Sequence, residues 1–192
     1  MQKAKILLMT PALIVLLSVI SFESVNENPP LSNTAQVIAD WERAKAYTLE
    51  YLSAANEELI VFRPTDEMRT FGQQMLHLSE LNYGFGAAAS GKTSPVTFGQ
   101  LEKAAADYKT NEMLTEAVMD SYDFVISGLK EIDESKMGDP IKIFDRFEMT
   151  REIGFNKAFE HQAHHRGQTT VYFRLLGIKP PNENCYRPNR NR

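Results

Sequence analysis

Apolar residues recur at three- and four-residue intervals along four stretches of the chain, the spacing that gathers side chains on one face of an α-helix. The first carries Val37, Ile38, Trp41, Ala44, Tyr47, Tyr51 and Leu52, with Thr48 as the polar member of the stripe. It is expected to start from a cap at Ser32 or Asn33 and run to about Asn56. Leu59 to Pro64 is apolar and then broken by proline, which predicts an extended connection over one end of the core. Thr65, followed by Asp66 and Glu67, reads as the N-cap of a second helix carrying Met68, Phe71, Met75, Leu78, Leu81 and Phe85 and stopping near Gly91. Its phenylalanines and methionines are core residues first and pocket lining second. Residues 94–108 predict a short turn or helix, and Asn111 to Ile132 a third amphipathic helix. Gly138-Asp139-Pro140 breaks the chain, and Ile141 to Phe147 is a connection. A fourth helix runs from about Thr150 to Leu176, with Gly177 as its C-cap and Pro180-Pro181 preventing continuation. Strand signals are nearly absent, so an all-α four-helix bundle over residues 32–181 is expected.

The N-terminus has a different pattern. Lys3 and Lys5 precede an apolar run from Ile6 to Ile20, interrupted only by Thr10, Pro11 and Ser18. That length is short for a membrane span and suits the core of an export signal covering residues 1–21, with Val19 and Ser21 at the small-residue positions of a cleavage site. Export to the periplasm or the exterior is expected, with no stable membrane span left after cleavage. An uncleaved N-terminal anchor is the alternative. Residues 22–31, rich in Asn and Pro, read as a linker, and residues 182–192 as a polar tail.

Composition narrows the function classes. A 192-residue chain with 43% apolar and 24% charged residues suits a single domain with a full-sized core. The formal net charge of −4 gives no basic excess, which argues against nucleic acid as a partner. The single cysteine, Cys185, excludes an internal disulfide and any cysteine-rich metal cluster.

Candidate chemistry concentrates in Glu160-His161-Gln162-Ala163-His164-His165-Arg166-Gly167-Gln168, which holds three of the chain's four histidines. At about 100° per residue, His161 and His165 lie within about 40° of each other on a helix, so their imidazoles can converge on one ion. His164 points about 60° the other way and is the rival to His165. His161, His165, Gln168 and Tyr172 share a stripe that should face the core, where polar groups cost roughly 1 to 3 kcal/mol each unless satisfied. A metal ion satisfies imidazole, and His77 on the second helix, beside the stripe at the edge marked by Leu81, offers a third ligand. Three protein ligands leave a position for water or substrate. The alternative is three packed, hydrogen-bonded histidines with no metal. A zincin protease is excluded, because the position after His161 is Gln162 and the glutamate, Glu160, precedes it.

His161-x-x-x-His165-Arg166-Gly167-Gln168, followed by Tyr172-Phe173-Arg174-Leu175-Leu176-Gly177 and Pro180-Pro181, resembles the C-terminal signature of the DinB-like (YfiT-like) metal-dependent four-helix bundles. Phe62-Arg63-Pro64 through Phe71-Gly72-x-x-Met75-Leu76-His77 resembles the segment supplying that family's first histidine, and the likeness spans about Ala35 to Pro181. The resemblance implies a divalent transition metal, zinc or nickel, held by His77, His161 and His165, and a homodimer. It also implies a small-molecule substrate, turned over by a metal-dependent hydrolase, maleylpyruvate-isomerase-like relatives included, or by a thiol S-transferase. A non-catalytic metal-binding module of the cell envelope, for sensing or sequestration, is the alternative. Within this pattern Arg166 is expected to pair with a carboxylate on a neighbouring helix and Gln168 to hold an inter-helix or ligand-orienting hydrogen bond. Glu80 is expected either to orient a ligand or to be solvated.

Overall fold

The computed structural model describes residues 34–108 and 110–183. The expected signal (1–21), the linker (22–31), the caps Ser32 and Asn33, and the tail beyond residue 183 with Cys185 lie outside the described residues. The elements are α1 (Thr34–Ala54), α2 (Glu57–Val61), α3 (Phe71–Ser90), α4 (Gln100–Lys103), α5 (Asn111–Glu131), β1 (Pro140–Ile143), β2 (Phe147–Thr150) and α6 (Arg151–Leu175). The four long helices form the expected all-α bundle.

α3 is the central element, packing along both α6 and α5, while α1 lies mainly on α5. Its composition permits this, since a Cβ at Gly86 would stand 2.9 Å from Val125 Cγ2. In return, a Cβ at Gly128 of α5 would stand 2.8 Å from Ser90 Cβ. The two helices therefore approach more closely than alanine at either position would allow. Trp41 is fully buried between α5 and α6, with its ring edge-on to Tyr122 at 5.7 Å and to Phe159 at 5.5 Å. No described helix is long and apolar enough to cross a membrane.

Three local expectations are corrected. Residues 59–61 of the connection expected over Leu59 to Pro64 are helical rather than extended, completing α2, because the Asn56 side chain accepts from Leu59 N at 2.9 Å and Glu57 and Glu58 occupy the first turn, where the helix dipole favours them. The cap of α3 is Thr70, not Thr65. Thr70 Oγ1 accepts from Gln73 N and the Gln73 amide oxygen accepts from Thr70 N, a reciprocal box that outcompetes the acidic turn at Thr65. Residues 140–150, where the sequence predicts only a connection over Ile141 to Phe147 and no strands, form an antiparallel hairpin with Ile143 paired to Phe147 at its tip. The hairpin lies against α3 and α6, where Gly154 leaves room for Ile141, and buries Ile143.

Candidate metal centre

His77 lies in the second turn of α3, and His161 and His165 lie one turn apart on α6, the helix that packs along α3. The structure brings the three together, with one ring nitrogen from each lying within 4.8 Å of the others. Ring centroids are 5.1 Å apart for His77 and His161, 4.6 Å for His77 and His165, and 4.3 Å for His161 and His165. Tetrahedral zinc with nitrogen bonds of about 2.0–2.1 Å spaces its ligand atoms about 3.3 Å apart, so the rings need only a small closure to hold an ion. His164 is exposed and stands outside the group, its Nε2 accepting from the Gln168 amide at 2.8 Å.

The hydrogen bonds fix which nitrogens face the common point. Tyr172 OH donates to the Arg69 carbonyl at 2.9 Å, which can only accept. The Gln74 amide therefore donates to Tyr172 OH at 3.3 Å, and its oxygen accepts from His165 Nδ1 at 2.7 Å. His165 thus carries its proton on Nδ1 and keeps the Nε2 lone pair for an ion. His77 is set in the same way, with Nδ1 3.2 Å from Glu102 Oε2. Glu102 in turn accepts from Arg69 Nε at 2.7 Å and Nη2 at 3.2 Å. One residue, Arg69, anchors both chains: its carbonyl acts through Tyr172 and Gln74 on His165, and its guanidinium through Glu102 on His77. His161 differs, for its buried Nδ1 has no hydrogen-bond partner.

Electrostatics keep all three rings neutral, the form that binds metal. Burial, reinforced by the adjoining His165 and His77, lowers His161 to about 3. Burial, with His77 and His164 nearby, lowers His165 to about 4. His77 is also lowered, by burial first and then by the Arg69 charge, which together outweigh the Glu102 carboxylate. For Glu102 itself burial acts upward, but the hydrogen bond and charge of Arg69, aided by His77, hold it below the usual carboxylate range. A buried nitrogen with no partner, neutral rings and a nitrogen-only donor set fit a borderline divalent metal such as zinc or nickel.

Three other expectations change. Among the described residues Arg166 meets no carboxylate: its Nη1 donates to Gln162 Oε1 at 2.8 Å and Thr48 Oγ1 at 3.1 Å, and the guanidinium lies 4.6 Å from the Tyr47 ring centre. Gln168 holds no inter-helix bond among the described residues and serves His164 on its own helix. Glu80 is neither solvated nor on a histidine. It is only 3% exposed and accepts from Gly99 N at 3.1 Å and Glu102 N at 3.0 Å, which fixes the segment presenting Glu102. Sequence reasoning missed Arg69, Gln74 and Glu102. Gln74 had a signal, being a polar residue one helical turn before Leu78 on a buried face, whereas Glu102 had none.

A groove of about 570 Å³ elsewhere, between α1 and α6, is lined by Tyr47, Tyr51, Arg166 and Thr170. It contains no group with ligand spacing, so chemistry rather than volume places the candidate site at the histidines.

Comparison with known proteins agrees with the helical fold. No curated protein matches the chain significantly. Among solved structures, it is similar to a DinB-like protein from Bacillus cereus ATCC 10987, with TM-score 0.62 and 18% identity over 78% of this chain and 96% of that one. It is also similar to a DinB-like protein, YjoA, from Bacillus subtilis, with TM-score 0.59 and 16% identity over 77% of this chain and 96% of that one. At such identities these likenesses speak for the fold alone. The DinB superfamily model matches residues 40–169, which take in α3, α5 and all three clustered histidines, and the chain therefore belongs to the DinB superfamily.

Proposed function

We propose that the protein holds one divalent transition metal, zinc or nickel, on His77, His161 and His165, and uses it to activate a nucleophile against a small-molecule substrate. The observation that carries this reading is the convergence of three neutral imidazoles from α3 and α6, two with Nδ1 protons fixed by Gln74 and Glu102 and one with a buried nitrogen lacking any partner. Bound there, the ion would supply Lewis acidity, making a coordinated water or thiol a nucleophile near neutral pH. The chain's own residues do the rest. Gln74 and Glu102 orient the two rings, and Arg69 locks both orienting groups to the start of α3. Hydrolysis is favoured over thiol transfer, because residues 1–21 have the pattern of an export signal and low-molecular-weight thiols are scarce outside the cytoplasm. The same reading places the protein outside the cytoplasm, or held there by its N-terminal segment, as a homodimer with no nucleic-acid partner.

One observation favours a non-catalytic reading. Both carboxylates beside His77 are already engaged, Glu102 by Arg69 and the ring, and Glu80 by two backbone N–H groups. Among the described residues of this cluster neither is left as a general base, which suits a module that senses or sequesters metal.

Zinc- and nickel-reconstituted protein assayed against ester, amide and thiol-accepting electrophile panels separates the two. Turnover that requires the metal and disappears in His161→Ala is the expected result. Stoichiometric metal with no turnover on any panel leaves the non-catalytic reading, and the absence of metal rejects both.

A further inference from the structure

A row of phenylalanines runs from the histidines to the surface. Phe85, two turns beyond His77 on α3, has its ring centre 6.2 Å from that of His161. Phe144, at the tip of the hairpin, lies 5.5 Å beyond Phe85, and Phe98 lies 5.8 Å beyond Phe144. The outer members are 46% and 70% exposed, so the row ends as an uncovered apolar strip.

The chain keeps these rings in place against ordinary local preference. Phe144 and Asp145 both have φ of 53°, in a turn closed by Arg146 N donating to Ile143 O at 3.2 Å. Successive left-handed residues at the two central positions of a β-turn favour asparagine and glycine, not phenylalanine. The Phe144 ring is seated on Gly84, where a Cβ would come within 3.3 Å of it. Phe98 stands on a segment whose next backbone N–H, that of Gly99, is held by the buried Glu80 carboxylate. A strained turn, a glycine seat and a buried carboxylate thus all serve to hold aromatic faces that nothing among the described residues covers.

We propose that Phe85, Phe144 and Phe98 form a subsite for the aryl or similarly apolar body of a small-molecule substrate whose reacting group is carried to the histidines. This rests on the metal-centre reading given above. Continuity selects the occupant: tilted and edge-to-face ring contacts run unbroken from exposed Phe98 through Phe144 and Phe85 to His161, and an aryl group laid on the exposed rings extends that series. The substrate class is therefore an aromatic or comparably apolar compound with a hydrolysable head group, not a small polar metabolite.

Two probes sharing one metal-binding head test this, acetohydroxamate and benzohydroxamate, titrated calorimetrically into the zinc-loaded protein. The expected result is a preference of about tenfold for the phenyl compound, within what partial burial of a phenyl group gives. Phe98→Ala and Phe144→Gly should each cut that preference at least threefold, with zinc content equal to the parent's. Phe144→Gly relieves the strained turn, so loss of folding does not account for a loss of preference there. Equal affinity for the two probes in the parent, or a preference unchanged in both variants, overturns the subsite while leaving the metal centre intact. A change of oligomeric state in Phe98→Ala with the phenyl preference retained assigns the row to contact between copies and also overturns it. Failure of the parent to take up zinc removes the reading beneath it as well.

Discussion

α6 carries two polar pairs of identical spacing, offset by one residue, and they meet opposite fates. Gln162 and Arg166 turn toward α1 and α5. There Thr48 and Tyr122 hydroxyls lie 2.7 Å apart, Tyr122 donates to Gln162 Oε1 at 2.9 Å, and Arg166 donates to both Gln162 and Thr48. The Gln162 amide donates to Phe159 O, so each group of this buried cluster has a partner within the protein. His161 and His165 turn toward α3. There the outer nitrogens of His165 and His77 are matched by Gln74 and Glu102, yet His161 Nδ1 is buried without a partner where three neutral rings crowd together. Both clusters interrupt an apolar bundle core, where an unsatisfied polar group costs free energy. The first is complete as protein and holds α1, α5 and α6 together. The second leaves one buried nitrogen unmatched, the gap that the proposed metal ion would fill.

The difference is open to test from either side. Breaking the completed cluster with Gln162→Leu strips partners from Tyr122 and Arg166 and should cost about 2–4 kcal/mol in urea denaturation, with zinc stoichiometry unchanged. The metal-free His161→Ala protein should stay within about 1 kcal/mol of the parent, since the change removes an unmatched group. Equal destabilisation by the two substitutions would erase the distinction. Zinc at a hundredfold excess over its Kd should stabilise the parent by about 2.7 kcal/mol and His161→Ala not at all. An EDTA-reversible shift of the thermal midpoint reads this directly.

Glu102→Gln sharpens the contrast within the histidine cluster. It keeps the shape but loses the charge that pairs with Arg69 and holds the His77 proton, so metal affinity should fall about 10- to 100-fold, measured by competition with a chromogenic chelator. Unchanged affinity would reduce Glu102 to a surface ion-pair partner of Arg69.

Acid gives a smaller and graded effect. In the unfolded chain the histidines take up protons as pH falls through about 6.5. In the folded chain His165 resists down to about 4 and His161 to about 3. Between these limits the unfolded state binds more protons, so stability of the metal-free protein declines as pH drops from about 6.5 and is flat above it. The decline should be shallower in His161→Ala. An equal slope in parent and variant would show that His161 is not held neutral by the fold.

Much of this was legible in the sequence, for identifiable reasons. The stripes of α1, α5 and α6 and the Gly177 stop are local periodicity and capping, and Thr48, the odd polar member of α1, was visible as such before Tyr122 was known to meet it. The i, i+4 spacing of His161 and His165 is helix geometry, and it survived folding because α6 is regular there. The start of α3 was misread because two caps compete within six residues, and the reciprocal Thr70 and Gln73 bonds prevail over the Thr65 turn. The hairpin at residues 140–150 was missed because strands of four residues have too few alternations to register. Arg166 was assigned a carboxylate on charge alone, whereas a tyrosine face and three oxygens satisfy it. Glu102 belongs to the site through a contact 25 residues away in sequence, which no local pattern encodes, whereas Gln74 showed only as a polar residue on a buried face, with its partner His165 91 residues away.

Elemental analysis of the purified protein, beside His77→Ala, His161→Ala, His165→Ala and His164→Ala, tests the central claim most directly. The account predicts about one equivalent of zinc or nickel in the parent and in His164→Ala, and none in the other three. Metal retained after loss of His161 or His165, or no metal in the parent after reconstitution, would contradict it.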